Sequence, residues 1–147
     1  MLTMPCSSMD INTKSIVFIK ATDPNITLYY NQICAYHKKD VDIKDSIGDV
    51  TYTKDYNNID YLWVKPEERH CGIGAELFIR ALEDCHKNGN PCISWYALTS
   101  TPYYLQFGAR ITKQTKYEAI KSSGNMEFDF TKDGNPRINR FNNKNER

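Results

Sequence analysis

Apolar and polar positions alternate along the first half of the chain and change rhythm at Pro66. Between Lys14 and Val64, short runs of β-branched and aromatic residues recur: Ser15-Ile-Val-Phe-Ile19, Ile26 to Tyr36, Val50-Thr-Tyr-Thr53 and Ile59 to Val64. Such residues suit a pleated, half-buried surface. Turn-forming clusters separate them at Asp23-Pro-Asn25, Ser46-Ile-Gly-Asp49 and Tyr56-Asn-Asn58, so this half predicts an antiparallel meander. Past Pro66, Ile73, Leu77, Ala81 and Cys85 fall every four positions with Phe78 and Leu82 beside them, while Glu76, Arg80, Glu83 and Lys87 hold the other face. That spacing predicts an amphipathic helix. It ends at Asn88-Gly89-Asn90-Pro91, where glycine suits a left-handed cap and proline cannot continue the helix.

Ile93 to Leu98 then reads as a buried strand. A strand, helix, strand passage of this length implies a parallel crossover, hence a mixed central sheet and an α/β (α+β) fold. A short turn or helix is expected between Pro102 and Phe107, and Arg110 to Ile120 with Met126 to Phe130 predict a closing hairpin. From residue 131 to 147 the chain is polar apart from Ile138 and Phe141, and it reads as a loosely attached tail behind a domain spanning residues 1 to 130.

The 147 residues, 40% of them hydrophobic and 12% aromatic, suffice for one domain with its own core. Lys and Arg number 19 against 18 Asp and Glu, so no long-range charge imbalance draws the chain to nucleic acid or an anionic membrane. Met1 to Met9 has neither a basic start nor a long apolar run, and no stretch approaches the roughly 20 apolar residues of a membrane span. The expected compartment is the cytoplasm. Cysteines at 6, 34, 71, 85 and 92 form no C-x-x-C pair; they read as reduced, small core residues, with no metal site among them.

The chemistry concentrates between Leu62 and Ala75. A strand ends at Val64, a loop crosses, and a helix begins beside Gly72 and Gly74. The first N–H groups of a helix lack partners inside it, and the helix dipole adds partial positive charge, so an anion fits there. Glycines let a phosphate approach the backbone. There is no G-K-[ST] for a nucleoside triphosphate, and the pair falls short of the G-x-G-x-x-G of dinucleotide folds.

Val64-Lys-Pro-Glu67 followed by Arg69-His-Cys-Gly72-Ile-Gly74 resembles the GNAT superfamily of N-acetyltransferases, whose pattern is [RQ]-x-x-G-x-[GA] after a strand ending in V-x-P-E. Tyr104-Leu-Gln-Phe-Gly108-Ala109 is similar to that family's Y-x-x-x-G-F element, with Ala in the last place. The resemblance covers about residues 46 to 120. It implies acetyl-CoA as cofactor and an amine as acceptor. Backbone from Leu62 through Trp63 to Val64 would meet the pantetheine arm, and Arg69, His70, Cys71, Gly72, Ile73, Gly74 and Ala75 the pyrophosphate. It also implies splayed strands with a slot between Val64 and the strand at Ile93, covered by residues after Pro102. In this family the proton for the departing thiolate comes from the tyrosine that Tyr104 matches; neighbouring Tyr103 is the second candidate.

For the base, alternation from Val64 places Asp60, Leu62 and Val64 on one face, where a carboxylate can take the amine's proton through a water. Trp63 points the other way and reads as core packing. Glu67 and Glu68 read as residues that orient the turn or face solvent, and His70 as a turn residue. A ping-pong scheme through Cys71 is set against the direct transfer that the resemblance implies.

Two departures bear on substrate. Some members that acetylate protein N-termini carry an Asn where Ala97 stands here. Only Ala21 to Asn25 separates the first two strands, where the family places one or two helices, so the acceptor side is open or is completed by a partner, such as a second copy in a homodimer, or by the tail. The alternatives are a CoA-binding regulatory module without catalysis, and a longer acyl donor lying against Leu62, Trp63 and Tyr104.

Overall fold

The computed structural model describes residues 15–98, 100–114 and 123–145. The alternating half forms the expected meander. Strands β1 (Ile16–Lys20), β2 (Tyr30–His37), β3 (Gly48–Thr53) and β4 (Ile59–Val64) pair antiparallel in that order. Ile33, Ala35, Val50, Tyr52, Ile59 and Val64 are buried. Strand β3 opens on Gly48 for a steric reason: a Cβ there would stand 2.8 Å from the Trp63 carbonyl oxygen and 3.3 Å from the Leu77 side chain.

The start of the second strand differs from expectation. Ile26 and Thr27 belong to a single helical turn, α1 (Pro24–Thr27), and the strand begins only at Tyr30. The Asp23 carboxylate accepts from the Asn25 N–H at 3.0 Å, with Pro24 at the first helical position. That cap outweighs the β propensity of two branched residues. A 3-10 helix over Lys38–Ile43 links β2 to β3.

The main helix α2 runs from Ile73 to Lys87 and presents Leu77, Phe78, Ala81, Leu82 and Cys85 fully buried. Each large side chain so buried contributes about 1.5–3 kcal/mol. It stops as the sequence requires, with Gly89 at φ +97. Then come β5 (Cys92–Ala97), α3 (Thr101–Leu105), β6 (Arg110–Gln114) and β7 (Gly124–Asp129), the strands pairing antiparallel in the order β5-β7-β6. The stretch expected to continue β6 to Ile120 lies outside the described residues. The parallel crossover is kept as a single bridge, Asn58 to Ser94, not as a ladder. One edge of β5 is taken by β7, and on the other the Ser94 N–H donates to the Asn57 carbonyl at 3.1 Å. No described helix is long and apolar enough to cross a membrane.

The chain divides into two compact units, the first running through Lys54 and resuming from Ile59 to Ala81, the second comprising Asp55–Asn58 and the residues from Leu82 onward. In the second unit the supposed tail is a docked element. Residues 136 to 145 form helix α4 (Pro136–Asn145). The Asn135 carboxamide caps it, accepting from the N–H groups of Arg137 and Ile138. The Asn139 amide donates to the carbonyls of Phe107 and Asp133, at 2.9 and 2.8 Å, and the Asn143 amide donates to that of Gln106 at 2.7 Å. Arg137 pairs with Glu83 at 2.9 Å. Side-chain hydrogen bonds to backbone carbonyls, together with buried Pro136, hold a helix whose composition resembles a tail.

Gly108 is the hinge of that docking. It sits at φ +87, and a Cβ on it would fall within 2.4 Å of the Asn139 amide nitrogen. A Gly108→Ala variant should therefore unfold about 1–2 kcal/mol more easily in a urea titration, from backbone strain and displacement of Asn139. Asn139→Ala should cost about 1 kcal/mol alone, and the double variant less than the sum, because both changes break the same contact.

Candidate active site

The first group of expected site residues lies together in the first unit. After β4, a 3-10 turn (Pro66–Glu68) leads into the segment Arg69 to Gly72 and the first turn of α2. The Arg69 Nε donates to the Val64 carbonyl at 2.8 Å, fastening the loop to the end of its own strand. Glu68 Oε1 lies 2.6 Å from His37 Nε2 and ties the same loop to β2. Glu68 thus takes the turn-orienting role, while Glu67 is exposed.

Two residues of the turn have left-handed backbone, His70 at φ +66 and Gly72 at φ +85. Glycine takes that conformation freely, whereas histidine does so at a cost of about 1–2 kcal/mol. His70 is an exposed turn residue, as its position suggested. Cys71, Ile73 and Ala75 are 5%, 2% and 3% exposed, alternating with half-buried Gly72 and Gly74. The buried side chains anchor the segment, and at Gly72 and Gly74 what it offers outward is backbone. The first helical hydrogen bond runs from the Glu76 N–H to the Gly72 carbonyl. The N–H groups of Ile73, Gly74 and Ala75 therefore have no partner within the helix. Donors at the positive end of a 15-residue helix, unobstructed by side chains at two glycines, suit a phosphate group.

Three expectations change here. Cys71 is disulfide-bonded, whereas Cys34, Cys85 and Cys92 are free. Spacing along the chain had suggested five reduced thiols, but disulfide pairing depends on proximity in space. A bonded sulfur has no thiolate to attack a thioester, so the ping-pong route through Cys71 lacks its nucleophile. Asp60 does not follow the alternation assumed for it: Leu62 pairs with Val50 but Ile59 with Tyr52, so β4 carries an extra residue at a bulge. The carboxylate is exposed, and its place relative to Leu62 is set by the bulge rather than by period two. Trp63 is not in the core. It pairs with Asp49 on the face opposite Val50 and Val64 and is only half-buried.

Tyr104 belongs to the second unit, on α3. Its ring stands 5.3 Å from that of buried Trp95, tilted at 57°, and 5.1 Å from that of Tyr103, edge-on at 80°. Tyr103 also packs edge-on against Phe107, and it is the more exposed of the two tyrosines. The Ser100 side chain makes no cap for α3 and instead hydrogen-bonds the Tyr104 hydroxyl. Burial raises the Tyr104 phenol above its ordinary value, and the Ser100 bond opposes that in part. The phenol is therefore a proton donor at neutral pH.

The sequence matches no family model, and no curated protein aligns with it. Solved structures do share its fold. A GNAT family acetyltransferase from Elizabethkingia anophelis with acetyl-CoA bound superposes on 80% of this chain and 99% of its own, at 14% identity and a TM-score of 0.58. A GNAT family acetyltransferase from Staphylococcus aureus Mu50 matches over 78% and 98%, at 13% identity and a TM-score of 0.59. The paia N-acetyltransferase of Thermoplasma acidophilum, in complex with coenzyme A, matches over 72% and 64%, at 19% identity and a TM-score of 0.57. The chain has the GNAT fold.

The environment of Tyr104 has a spectroscopic consequence. At pH about 10, where a free phenol is half ionised, Tyr104 is less ionised than a free phenol, so Tyr104→Phe should lower the tyrosinate absorbance of the folded protein by less than one free tyrosine's share. Ser100→Ala removes the bond that favours the ionised form, so it should move the Tyr104 ionisation to still higher pH.

Proposed function

We propose that the protein is an N-acyltransferase that moves an acetyl group from acetyl-CoA to a primary amine by direct transfer. The observation that carries the reading is the turn from Arg69 to Gly74: left-handed at His70 and Gly72, with Cys71 and Ile73 buried and N–H groups at the start of α2 that have no partner within the helix. On this fold, that turn fits a pyrophosphate. Arg69, His70, Cys71, Gly72, Ile73, Gly74 and Ala75 would hold it through backbone, and Leu62, Trp63 and Val64 would flank the pantetheine arm. When bound, the cofactor supplies an acyl group activated as a thioester.

The chain's own residues do the rest. Asp60 takes a proton from the attacking amine, directly or through a water, leaving a nitrogen able to form the new C–N bond. As the C–S bond breaks, the Tyr104 hydroxyl gives its proton to the departing sulfur. The exposure of Asp60 at a bulge supports the second reading, a CoA-binding module with weak catalysis.

Calorimetry with acetyl-CoA tests what both readings share. Wild type should bind with micromolar affinity, and a Gly72→Glu, Gly74→Glu double variant, whose carboxylates fill and charge the turn, should not. No heat and no thermal stabilisation of wild type would remove both readings. In turnover with a panel of amines, Tyr104→Phe should lower kcat about 10²-fold with acetyl-CoA affinity unchanged. Asp60→Asn should lower it less, since an amine can lose its proton to water before it binds. Tight binding with no transfer to any amine would select the module.

A further inference from the structure

The first sheet has a second face, turned away from Leu77 of α2, whose side chains the proposed transfer leaves without a role. Gln32, Cys34 and Tyr36 alternate on it from β2, Asp49 comes from β3, and Tyr61 and Trp63 come from β4. The register sets Cys34, Asp49 and Trp63 in one row across three strands. Asp49 is half-buried, and its Oδ2 accepts from the Gln32 Nε2 at 2.9 Å. The Cys34 thiol and the Tyr36 hydroxyl are hydrogen-bonded to each other, and both lie within reach of the Asp49 charge. Burial raises the pKa of each, with Asp49 adding to the rise, so both are neutral at physiological pH. Tyr61 is 51% exposed, which leaves the face open to solvent.

Asp49 has no cationic partner: among the described residues no lysine, arginine or histidine pairs with it. Three other acidic side chains of the unit do have one. Glu68 meets His37, Asp45 meets Lys65, and Glu76 meets Arg80. A half-buried carboxylate without a counter-charge, beside an indole and two phenols, is matched by an organic cation. The carboxylate supplies the charge, and the ring faces attract a cation within about 6 Å of their centres. The neutral thiol, phenol and amide around it add hydrogen-bonding groups but no competing positive charge.

We propose that this face is an acceptor subsite that selects amines carrying a second positive charge, diamines or polyamines, by holding the non-reacting ammonium at Asp49 beside Trp63 and Tyr36. The assignment of an acceptor rests on the transfer reading. The attacking nitrogen has to be neutral, so the charge that Asp49 attracts belongs to another nitrogen of the same molecule. A neutral or anionic acceptor gains nothing from this face.

Two measurements on the full chain test it. In turnover, 1,4-diaminobutane is compared with butylamine, which lacks the second charge. Wild type should favour the diamine, and Asp49→Asn, which can still accept the Gln32 hydrogen bond, should cut the ratio of the two kcat/KM values about ten-fold. Binding is read without transfer by titrating 1,4-bis(trimethylammonio)butane, which has two fixed charges and no transferable nitrogen, and following tryptophan emission. Wild type should show saturable quenching that Trp63→Phe removes and Asp49→Asn weakens about ten-fold. Quenching with this pattern, but no acetyl transfer to any amine, would uphold the cation site while the transfer reading fails. A diamine preference that survives Asp49→Asn, or emission unmoved by the bis-cation while Asp49→Asn melts with the wild type, would overturn the proposal.

Discussion

The geometry depends on how the backbone leaves β4 and enters α2. Between Val64 and Ile73 the chain must turn back to lay a helix on the sheet it has just left, and it does so through left-handed residues at His70 and Gly72. Only the second of these is a glycine, so the histidine is held in an unfavourable conformation by its surroundings. The fastenings are visible: Arg69 bonds the Val64 carbonyl, Glu68 meets His37, and Cys71 is buried and disulfide-bonded beside the glycine. Because the segment is anchored from the inside, its peptide groups at Gly72 and Gly74 carry no covering side chain, and peptide groups held at a helix start bind anions without reorganising.

Much of this was legible from residue types alone. The four-residue period from Ile73 to Cys85 and the stop at Asn88-Gly89-Asn90-Pro91 mark α2 because helix burial and helix capping are local effects. The meander was legible for the same reason. Features that depend on pairing were not. A bulge on β4 is a relation between two strands, so nothing in Ile59-Asp60-Tyr61-Leu62 reveals that the count slips there. The Cys71 disulfide is likewise a fact of proximity. Helix α4 is a different case: Asn135-Pro136 is a helix-start signal in plain sight, outweighed by the polarity of the ten residues it introduces. Its docking bonds run from Asn139 and Asn143 to carbonyls far back in the chain, and such bonds have no periodicity to betray them.

The two faces of the first sheet show how one set of strands divides its tasks. Odd-numbered Ile33 and Ala35 on β2 and even-numbered Val50 and Tyr52 on β3 make the core, while their neighbours Cys34, Tyr36 and Asp49 carry polar chemistry. Strand β4 belongs to both: Val64 is core, Trp63 is not, and the bulge before them alters which way Asp60 is presented. Substitutions on the two faces therefore act differently: on stability at one and, under the proposed cation site, on recognition at the other.

Helix α4 has a practical bearing on the second unit. Its Asn139 and Asn143 grip the carbonyls of Phe107 and Gln106, which lie immediately beyond the helical turn that carries Tyr104. Helix α4 is thus a splint for a residue far earlier in the chain. A trimming of its polar residues to help crystallisation would be an intervention at Tyr104, however remote it looks on a linear map.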